Sequence, residues 1–314
     1  MIADGTRVSK SAVHSAPTPF SSLRPIDLAV VLPAFNEVQG IAVTFQRVEE
    51  VLSGLDCTSE ILVVDDGSTD GTAEAAARLG ARVISHPVNR GYGTALKTGI
   101  LNTTAAAVLI MDSDCSYRPE AIPGLYALLA NADMVVGSRP LTSTGVLWVR
   151  RPGKWILNTF ASFLVGRRVP DLNSGQRVMK RDAVMQYLHL MPEGFSFTST
   201  ITLAMLANGH NVIYEPIAYD ERIGDSKIRA VHFLDFLVLI LRATVLFNPI
   251  RVYLPLSGLF ALAGTGLLLR DILRWRLSPT TVMSFLFALL GLSVGLLADA
   301  ISRMQANQPR PPGT

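Results

Sequence analysis

The sequence predicts an α/β domain built on a mostly parallel sheet, followed by an interfacial helix and a hairpin of two membrane-spanning helices. Three observations carry this expectation. From Leu28 to about Ile217, short apolar and β-branched runs alternate with helix-length segments, the pattern of β-α units. Two of those runs end abruptly in acids, Asp65-Asp66 and Asp112-Ser113-Asp114. After Lys227 the polarity collapses, and two long uncharged runs follow.

Composition narrows the class. Of 314 residues, 49% are hydrophobic and 17% charged, which excludes a disordered or fibrous chain and is lopsided for a soluble one. Lys and Arg number 28 against 25 Asp and Glu, an excess that suits a nucleic acid, an anionic membrane or a phosphorylated substrate alike. Cys57 and Cys115 are too few for a disulfide framework and have no metal-ligand spacing, which fits a reducing compartment such as the cytosol.

Residues 1–25 are rich in Ser, Thr and Pro, lack the apolar core of a signal peptide and read as a flexible tail. Strands are expected at Leu28–Leu32, Ile61–Val64, Arg82–Ile84, Ala107–Met111 and Met134–Val136, with helices at Val38–Leu52, Asp70–Leu79 and Thr94–Leu101. Asp70 precedes helix formers and reads as a helix N-cap. The first strand ends in Pro33-Ala34-Phe35-Asn36-Glu37, without the Gly-rich turn of a dinucleotide site. Gly91-Tyr92-Gly93 follows the third strand and lacks the last glycine of that motif, which disfavours a nicotinamide enzyme and leaves a tight loop near the ligand. Ligands of open α/β sheets bind beyond the C-terminal strand ends, where both acidic clusters are placed. Two carboxylates at i and i+2 can turn toward one divalent cation there, and hard oxygens suit Mg²⁺ or Mn²⁺. Such pairs also occur in ordinary turns.

The C-terminal third reads as membrane. Val231–Phe247 is apolar but carries Asp235 and Arg242, as a helix lying in the interface does. Val252–Leu269 is uncharged and about 27 Å long as a helix, against a hydrocarbon core of about 30 Å. Val282–Ala298 is a second uncharged run beyond the polar segment Arg270–Pro279, so both outer ends lie on one side. Two buried helices of a soluble domain would show polar residues every third or fourth position, and these are missing. The Arg residues near the spans barely decide orientation, with Arg270, Arg274 and Arg276 in the loop against Arg242, Arg251, Arg303 and Arg310. A cytosolic α/β domain on a two-span protein of the cell inner membrane is the expectation. Gly291 and Gly295 have the small-xxx-small spacing that lets helices approach, within the hairpin or in a homo-oligomer. The expected organisation is a tail at 1–25, the α/β domain at 26–228, the interfacial helix at 229–250, the hairpin at 251–302 with spans 252–269 and 282–298, and a tail at 303–314.

Taken together, these segments resemble a family 2 glycosyltransferase with the GT-A nucleotide-sugar-binding fold, in the polyprenyl-phosphate branch that includes dolichyl-phosphate mannosyltransferase. The resemblance runs from about Ala29 to Lys227 through Pro33-Ala34-Phe35-Asn36-Glu37, Asp65-Asp66-Gly67-Ser68, Asn89-Arg90-Gly91, Asp112-Ser113-Asp114, Gly137-Ser138-Arg139, Asp171-Leu172-Asn173-Ser174-Gly175 and Arg222-Ile223-Gly224-Asp225-Ser226-Lys227. It implies an inverting, metal-dependent transfer of a hexose from a GDP- or UDP-sugar to undecaprenyl or dolichyl phosphate at the cytoplasmic membrane face. It further implies that Pro33, Ala34, Glu37 and Asp66 contact base and ribose, and that Asp112, Ser113 and Asp114 hold the donor, with Asp112 and Asp114 on Mg²⁺ or Mn²⁺. The Gln that often follows as a further metal contact is here Ser116. Ser138 and Arg139, helped by Arg151 and its neighbours Arg150 and Lys154, would face the acceptor phosphate. For those last three basic residues, anionic lipid headgroups are an equal reading. Arg222 and Lys227 would close on the donor diphosphate.

Asp171 matches the carboxylate often cast as base, yet a phosphate with a second pKa near 6 is already largely ionised. It can instead orient the acceptor, hold Arg177 and its loop, or be purely structural. Phe195-Ser196-Phe197 is expected near the sugar, His210 at the surface or as a cap, and Cys115 as a filler. Two other functions fit less closely: a transferase acting on another lipid or a glycan, and a silent nucleotide-binding module at the membrane. No nucleic-acid partner is expected.

Overall fold

The computed structural model describes residues 26–139, 151–194, 196–220 and 249–306. The expected interfacial helix at Val231–Phe247, the N-terminal tail, residues 307–314, Arg150, Phe195, Arg222 and Lys227 lie outside the described residues.

A seven-stranded sheet organises the first two thirds of the chain, in the order β3-β2-β1-β4-β6-β5-β7. β1 (Leu28–Ala34) is buried along its whole length, as a central parallel strand must be, between β2 (Ser59–Asp65) and β4 (Ala107–Ile110). β3 (Arg82–Ser85) lies outside β2. On the other side, β6 (Arg177–Lys180) runs antiparallel between β4 and β5 (Met134–Ser138), and β7 (Val212–Pro216) pairs parallel with β5. Every strand but β6 therefore ends at the same edge, where β6 begins. The five expected strands are present with ends moved by at most two residues. β6, β7 and the two α-helices between them, Arg181–Met185 and Phe197–Ala207, were not anticipated.

Alternation along β1 builds two cores. Leu28, Val30 and Leu32 pack with Ile41, Phe45 and Val48 of α1 (Val38–Ser53), whose apolar residues recur at three and four positions. Val31 faces the opposite way, with Leu96 and Ile100 of α3 (Tyr92–Leu101) and Ile201 of the Phe197–Ala207 helix. The Arg151–Val165 helix, reached from the end of β5, turns Leu157, Ala161 and Val165 inward while Trp155 and Phe163 are exposed.

α2 (Thr72–Arg78) starts two residues later than expected, because Gly71, at φ +87°, is its N-cap and Asp70 stands one residue further out. One Asp70 oxygen accepts from the Thr72 amide and hydroxyl, at 3.0 and 2.5 Å, and the other accepts from the Val38 amide at 3.1 Å. One carboxylate thus caps the starts of both α1 and α2.

The C-terminal helices, Ile250–Leu273 and Pro279–Ala306, are both longer than the uncharged runs that announced them. Each is long and apolar enough to cross a membrane, and only 11% of each apolar window is buried, unlike the core helix of a soluble domain. Gly291 and Gly295 pack within the hairpin: a Cβ would lie 2.6 Å from Ser257 Oγ at the first and 2.6 Å from Tyr253 Cβ at the second. Asp271 seals the turn, accepting from the Ser278 amide at 2.7 Å, the Thr281 hydroxyl at 2.6 Å and Arg270 Nη2 at 2.9 Å.

Replacing Asp70 by Ala is expected to cost about 1 kcal/mol of stability, the usual worth of a side-chain cap. Burial tends to raise the Asp70 pKa, but the Thr72 hydroxyl and the Val38 and Thr72 amides outweigh it and leave the native value below the ordinary one. The native carboxylate binds its proton less tightly than the unfolded one, so the contribution is complete above about pH 4 and fades as pH falls through the lowered native value. Urea midpoints of wild type and Asp70→Ala across pH 2.5–7 check this: the gap should narrow only at the acid end.

Candidate functional site

The sheet brings both acidic clusters to one edge, because β2 and β4 flank β1 and all three run the same way. β1 ends in Pro33 and Ala34 between them. Ser113 Oγ donates to Pro33 O at 2.8 Å, and the Ser113 carbonyl accepts from the Thr44 hydroxyl, so the second cluster is tied to β1 and α1. The Asn36 amide donates to Ser68 Oγ at 2.9 Å, and the Glu37 amide to Thr72 Oγ1 at 3.0 Å, tying the β1 turn to the loop after β2. Glu37 is half-buried at the start of α1.

Asp66 is buried, and its carboxylate serves the protein's own backbone. Oδ1 faces His86 Nδ1 at 2.7 Å and accepts from the Arg90 amide at 2.9 Å, while Oδ2 accepts from the Gly91 amide at 2.8 Å. His86 reaches Thr98 of α3 with its other nitrogen, at 2.9 Å. Asp66 thus sets the Asn89-Arg90-Gly91 loop rather than presenting both oxygens outward. Gly67 permits the fit, since its φ is +77° and a Cβ would lie 2.6 Å from the Val88 carbonyl carbon.

Asp112 and Asp114 differ in burial and in partners. Asp112 is half-buried at the edge and accepts from the Tyr92 phenol at 2.8 Å, while Asp114 is 2% exposed and accepts from the Ser116 amide at 3.0 Å and from the Ser116 hydroxyl. Burial, with the Asp112 charge adding to it, pushes the Tyr92 phenol well above its ordinary pKa, so it remains a donor. Ser116, where a longer amide would give a further metal contact, is turned onto Asp114. Among the described residues no three His, Cys, Asp or Glu side chains gather into a metal site. Two carboxylates without such a cage fit the way Mg²⁺ and Mn²⁺ are held beside substrate phosphates, with phosphate oxygens and water filling the remaining positions.

Ser138 closes β5, and the next residue, Arg139, meets Asp171 across the edge. Nε and Nη2 of Arg139 donate to the two Asp171 oxygens at 2.8 and 3.0 Å, and the Arg139 amide adds a third contact at 3.1 Å. Asp171 is fully buried, and the guanidinium lies 5.9 and 5.3 Å from the ring centres of Tyr117 and Tyr219. Burial opposes the Arg139 charge, yet Tyr117, Asp171 and Tyr219 hold its pKa well above the ordinary value. Asp171 does not hold Arg177: that buried guanidinium donates to Ser174 O, Thr198 O and Thr202 Oγ1. Both of the Asp171 oxygens are committed to a guanidinium, which suits an orienting carboxylate better than a proton acceptor.

Asp112 and Asp171 share a wall. A Cβ at Gly175 would stand 2.5 Å from Asp112 Oδ2, and the Gly175 amide donates to the Tyr117 phenol at 2.6 Å. Tyr117 bridges Tyr219, and the Asp220 amide donates to Ser116 O at 2.9 Å, so the Asp112–Ser116 segment anchors the chain just before Arg222. Arg151 opens the helix after β5. Cys115 packs against Thr44 and Gly40 O as a filler would, and His210 is tied to Asp133 and Tyr187 near the starts of β5 and β7, away from the acids. Sequence reasoning missed Tyr117, Tyr219, His86 and the Tyr92 phenol. The one available pointer was that His86 and Tyr117 closely follow strands ending at the acidic edge.

Asp171→Asn would leave the Arg139 charge without an anionic partner, facing a neutral amide with one acceptor oxygen in place of two. A stability loss of about 3 kcal/mol is expected, read as a lowered urea midpoint at pH 7. A carboxylate acting only as a proton acceptor would lose turnover with the midpoint unchanged.

Comparison with known proteins identifies the family and the fold. Residues 29–188 match glycosyl transferase family 2, and residues 248–304 match the GtrB C-terminal hairpin. Over 204 residues the chain is 32% identical to the dolichyl-phosphate hexose transferase of Haloferax volcanii, covering 64% of this chain and 86% of that one. It is 32% identical over 209 residues to the low-salt glycan biosynthesis hexosyltransferase Agl6 of the same organism, covering 65% of this chain but only half the length of that protein. Among solved structures, glucosyl-3-phosphoglycerate synthase of Mycobacterium tuberculosis, in complex with Mn²⁺, uridine diphosphate and glucosyl-3-phosphoglycerate, superposes with a TM-score of 0.54 at 22% identity, covering 72% of this chain and 80% of that one. Mannosyl-3-phosphoglycerate synthase of Rubrobacter xylanophilus gives a TM-score of 0.55 at 22% identity over 69% and 72% of the two chains. At that identity the structures establish the GT-A-like fold. Together with the sequence matches, they show that the chain belongs to glycosyl transferase family 2 and carries a GtrB-type membrane hairpin.

Proposed function

We propose that this membrane-anchored glycosyltransferase moves a hexose from a UDP- or GDP-sugar onto a polyprenyl phosphate, with inversion, at the cytoplasmic face of the cell inner membrane. One observation carries the reading: the hairpin docks on the Arg151–Val165 helix, which also braces the loop that carries Asp171. Arg251, in the first turn of the hairpin, donates to Phe163 O at 3.2 Å, and Val252 packs with Leu157, Ala161 and Val165. Asn158 stands about 7.5 Å before Phe163 along the same helix axis. It binds Pro170 O and the Leu172 amide, on either side of Asp171. In this reading a lipid-borne acceptor leaves the bilayer along this helix, toward the Arg139 end of the acidic edge. The exposed Trp155 and Phe163 on the same helix suit a lipid-facing surface.

In this reading the acceptor phosphate oxygen attacks the anomeric carbon, and the bond from that carbon to the donor diphosphate breaks. Pro33, Ala34 and Glu37 line the nucleotide end, and Asp66 shapes it by holding the Arg90 and Gly91 amides. Asp112 and Asp114 would hold Mg²⁺ or Mn²⁺, which supplies positive charge to the departing diphosphate. Ser113 fixes their turn against β1. Ser138 and Arg139, with Arg151, receive the acceptor phosphate, and Asp171 keeps the Arg139 fork in place. Arg222 and Lys227, which follow Asp220 in the sequence, would add positive charge at the diphosphate. The acceptor is already an anion at neutral pH, so attack needs no dedicated base.

Purified full-length protein in detergent, given UDP- and GDP-hexoses, undecaprenyl phosphate and Mn²⁺, should form a chloroform-extractable lipid-linked sugar with at least one donor. Asp112→Ala should lower that rate at least 100-fold. Transfer to diacylglycerol or a soluble glycan, with none to polyprenyl phosphate, would replace the acceptor named here. No transfer to any of them would sink the reading.

A further inference from the structure

We propose that Tyr92 is a positioning residue, which fixes the Asp112 carboxylate in the orientation a divalent cation needs. This deepens the role given to Asp112 above and rests on it.

The Gly91-Tyr92-Gly93 segment is shaped to deliver that phenol. A Cβ at Gly91 would stand 2.6 Å from Glu193 O, and one at Gly93 would stand 2.2 Å from Pro192 O. The segment therefore lies flush against the 192–193 backbone, and only glycine fits on either side of Tyr92. From there Tyr92 Oη donates to Asp112 Oδ1 at 2.8 Å. On the other side of the carboxylate, a Cβ at Gly175 would be 2.5 Å from Oδ2. The phenol and the bare Gly175 backbone together set the plane of the carboxylate. Immediately upstream, the Arg90 and Gly91 amides are held by Asp66. One segment of three residues thus touches both acidic clusters.

The Asp112 orientation matters more here than it would in a site with many ligands. Ser116 is spent on Asp114, and no third acid, Cys or His joins the pair among the described residues. With so few protein oxygens, affinity for the cation depends on how little freedom each one loses on binding. A hydrogen-bonding partner behind a ligand supplies that restriction, and its removal typically costs 10- to 100-fold in metal affinity.

The test is calorimetric titration of Mn²⁺ into the full chain in detergent, saturated with UDP or GDP, whichever raises its Tm. Tyr92→Phe keeps the ring and removes the donor. A rise of about tenfold in the Mn²⁺ Kd is expected, with Tm in the absence of metal nearly unchanged and turnover recovered at high Mn²⁺. A phenol that serves only packing would lower Tm and leave the Mn²⁺ Kd alone, which overturns the inference. Asp112→Asn separates the two levels of the argument. Loss of Mn²⁺ binding in Asp112→Asn together with wild-type binding in Tyr92→Phe sinks the positioning role alone. Unaltered Mn²⁺ binding in Asp112→Asn, or none in the wild type, sinks the reading of Asp112 on which it stands.

Discussion

The Asp66 carboxylate is the tie on which the geometry of the acidic edge depends. A buried carboxylate is stable only when its oxygens are filled, and Asp66 fills them with an imidazole and two backbone amides. Those amides belong to the connection between β3 and α3, which has no ladder of its own to set its path. The same connection carries Tyr92 to Asp112 and lies against the backbone at 192–193. Without Asp66, nothing in the sheet would set the path of this connection past the ends of β2 and β4.

A second tie joins the end of β5 to the loop that leads into its neighbour β6. Arg139 and Asp171 supply it, and desolvating both charges costs more than a simple pair returns. Two tyrosine rings and a forked guanidinium contact offset that cost, and the loops are fixed in exchange: Ser174 donates to Gly137 O, Gly175 to Tyr117, and Ser199 to Asn173. The pair therefore acts on specificity of arrangement as much as on stability, because the one antiparallel strand of the sheet would otherwise enter the site from an unconstrained loop.

The parts legible in the sequence are those with a repeating physical signature. Strands β1 to β5 were visible as apolar runs, the hairpin as two uncharged stretches, and the edge from acids that interrupt apolar runs. The ends were less visible, since Gly71 as N-cap shortens one helix and the sealed turn at Asp271 lengthens another. Contacts between distant positions were invisible. Arg177 stands six residues from Asp171 and was the natural partner to expect, but the fold supplies Arg139 from 32 residues away. Likewise Asp66 looks available in the sequence, and only coordinates show which of its lone pairs the chain itself occupies. A lone histidine such as His86 has no spacing to announce it.

The joint between domain and hairpin restricts how this chain can change over evolutionary time. Gly166 ends its helix with φ +71°, and the Arg251 guanidinium lies where a Cβ would be, 2.1 Å from its Nη1. Any side chain at 166 would push that guanidinium off Phe163 O, and any shorter residue at 251 would leave the carbonyl without its cation. Position 166 is held to glycine by its left-handed backbone, and a side chain there would also displace the exposed Arg251 guanidinium. A recombinant that borrows a foreign hairpin inherits a mismatch at this seam unless the donor brings its own long basic residue to the same turn.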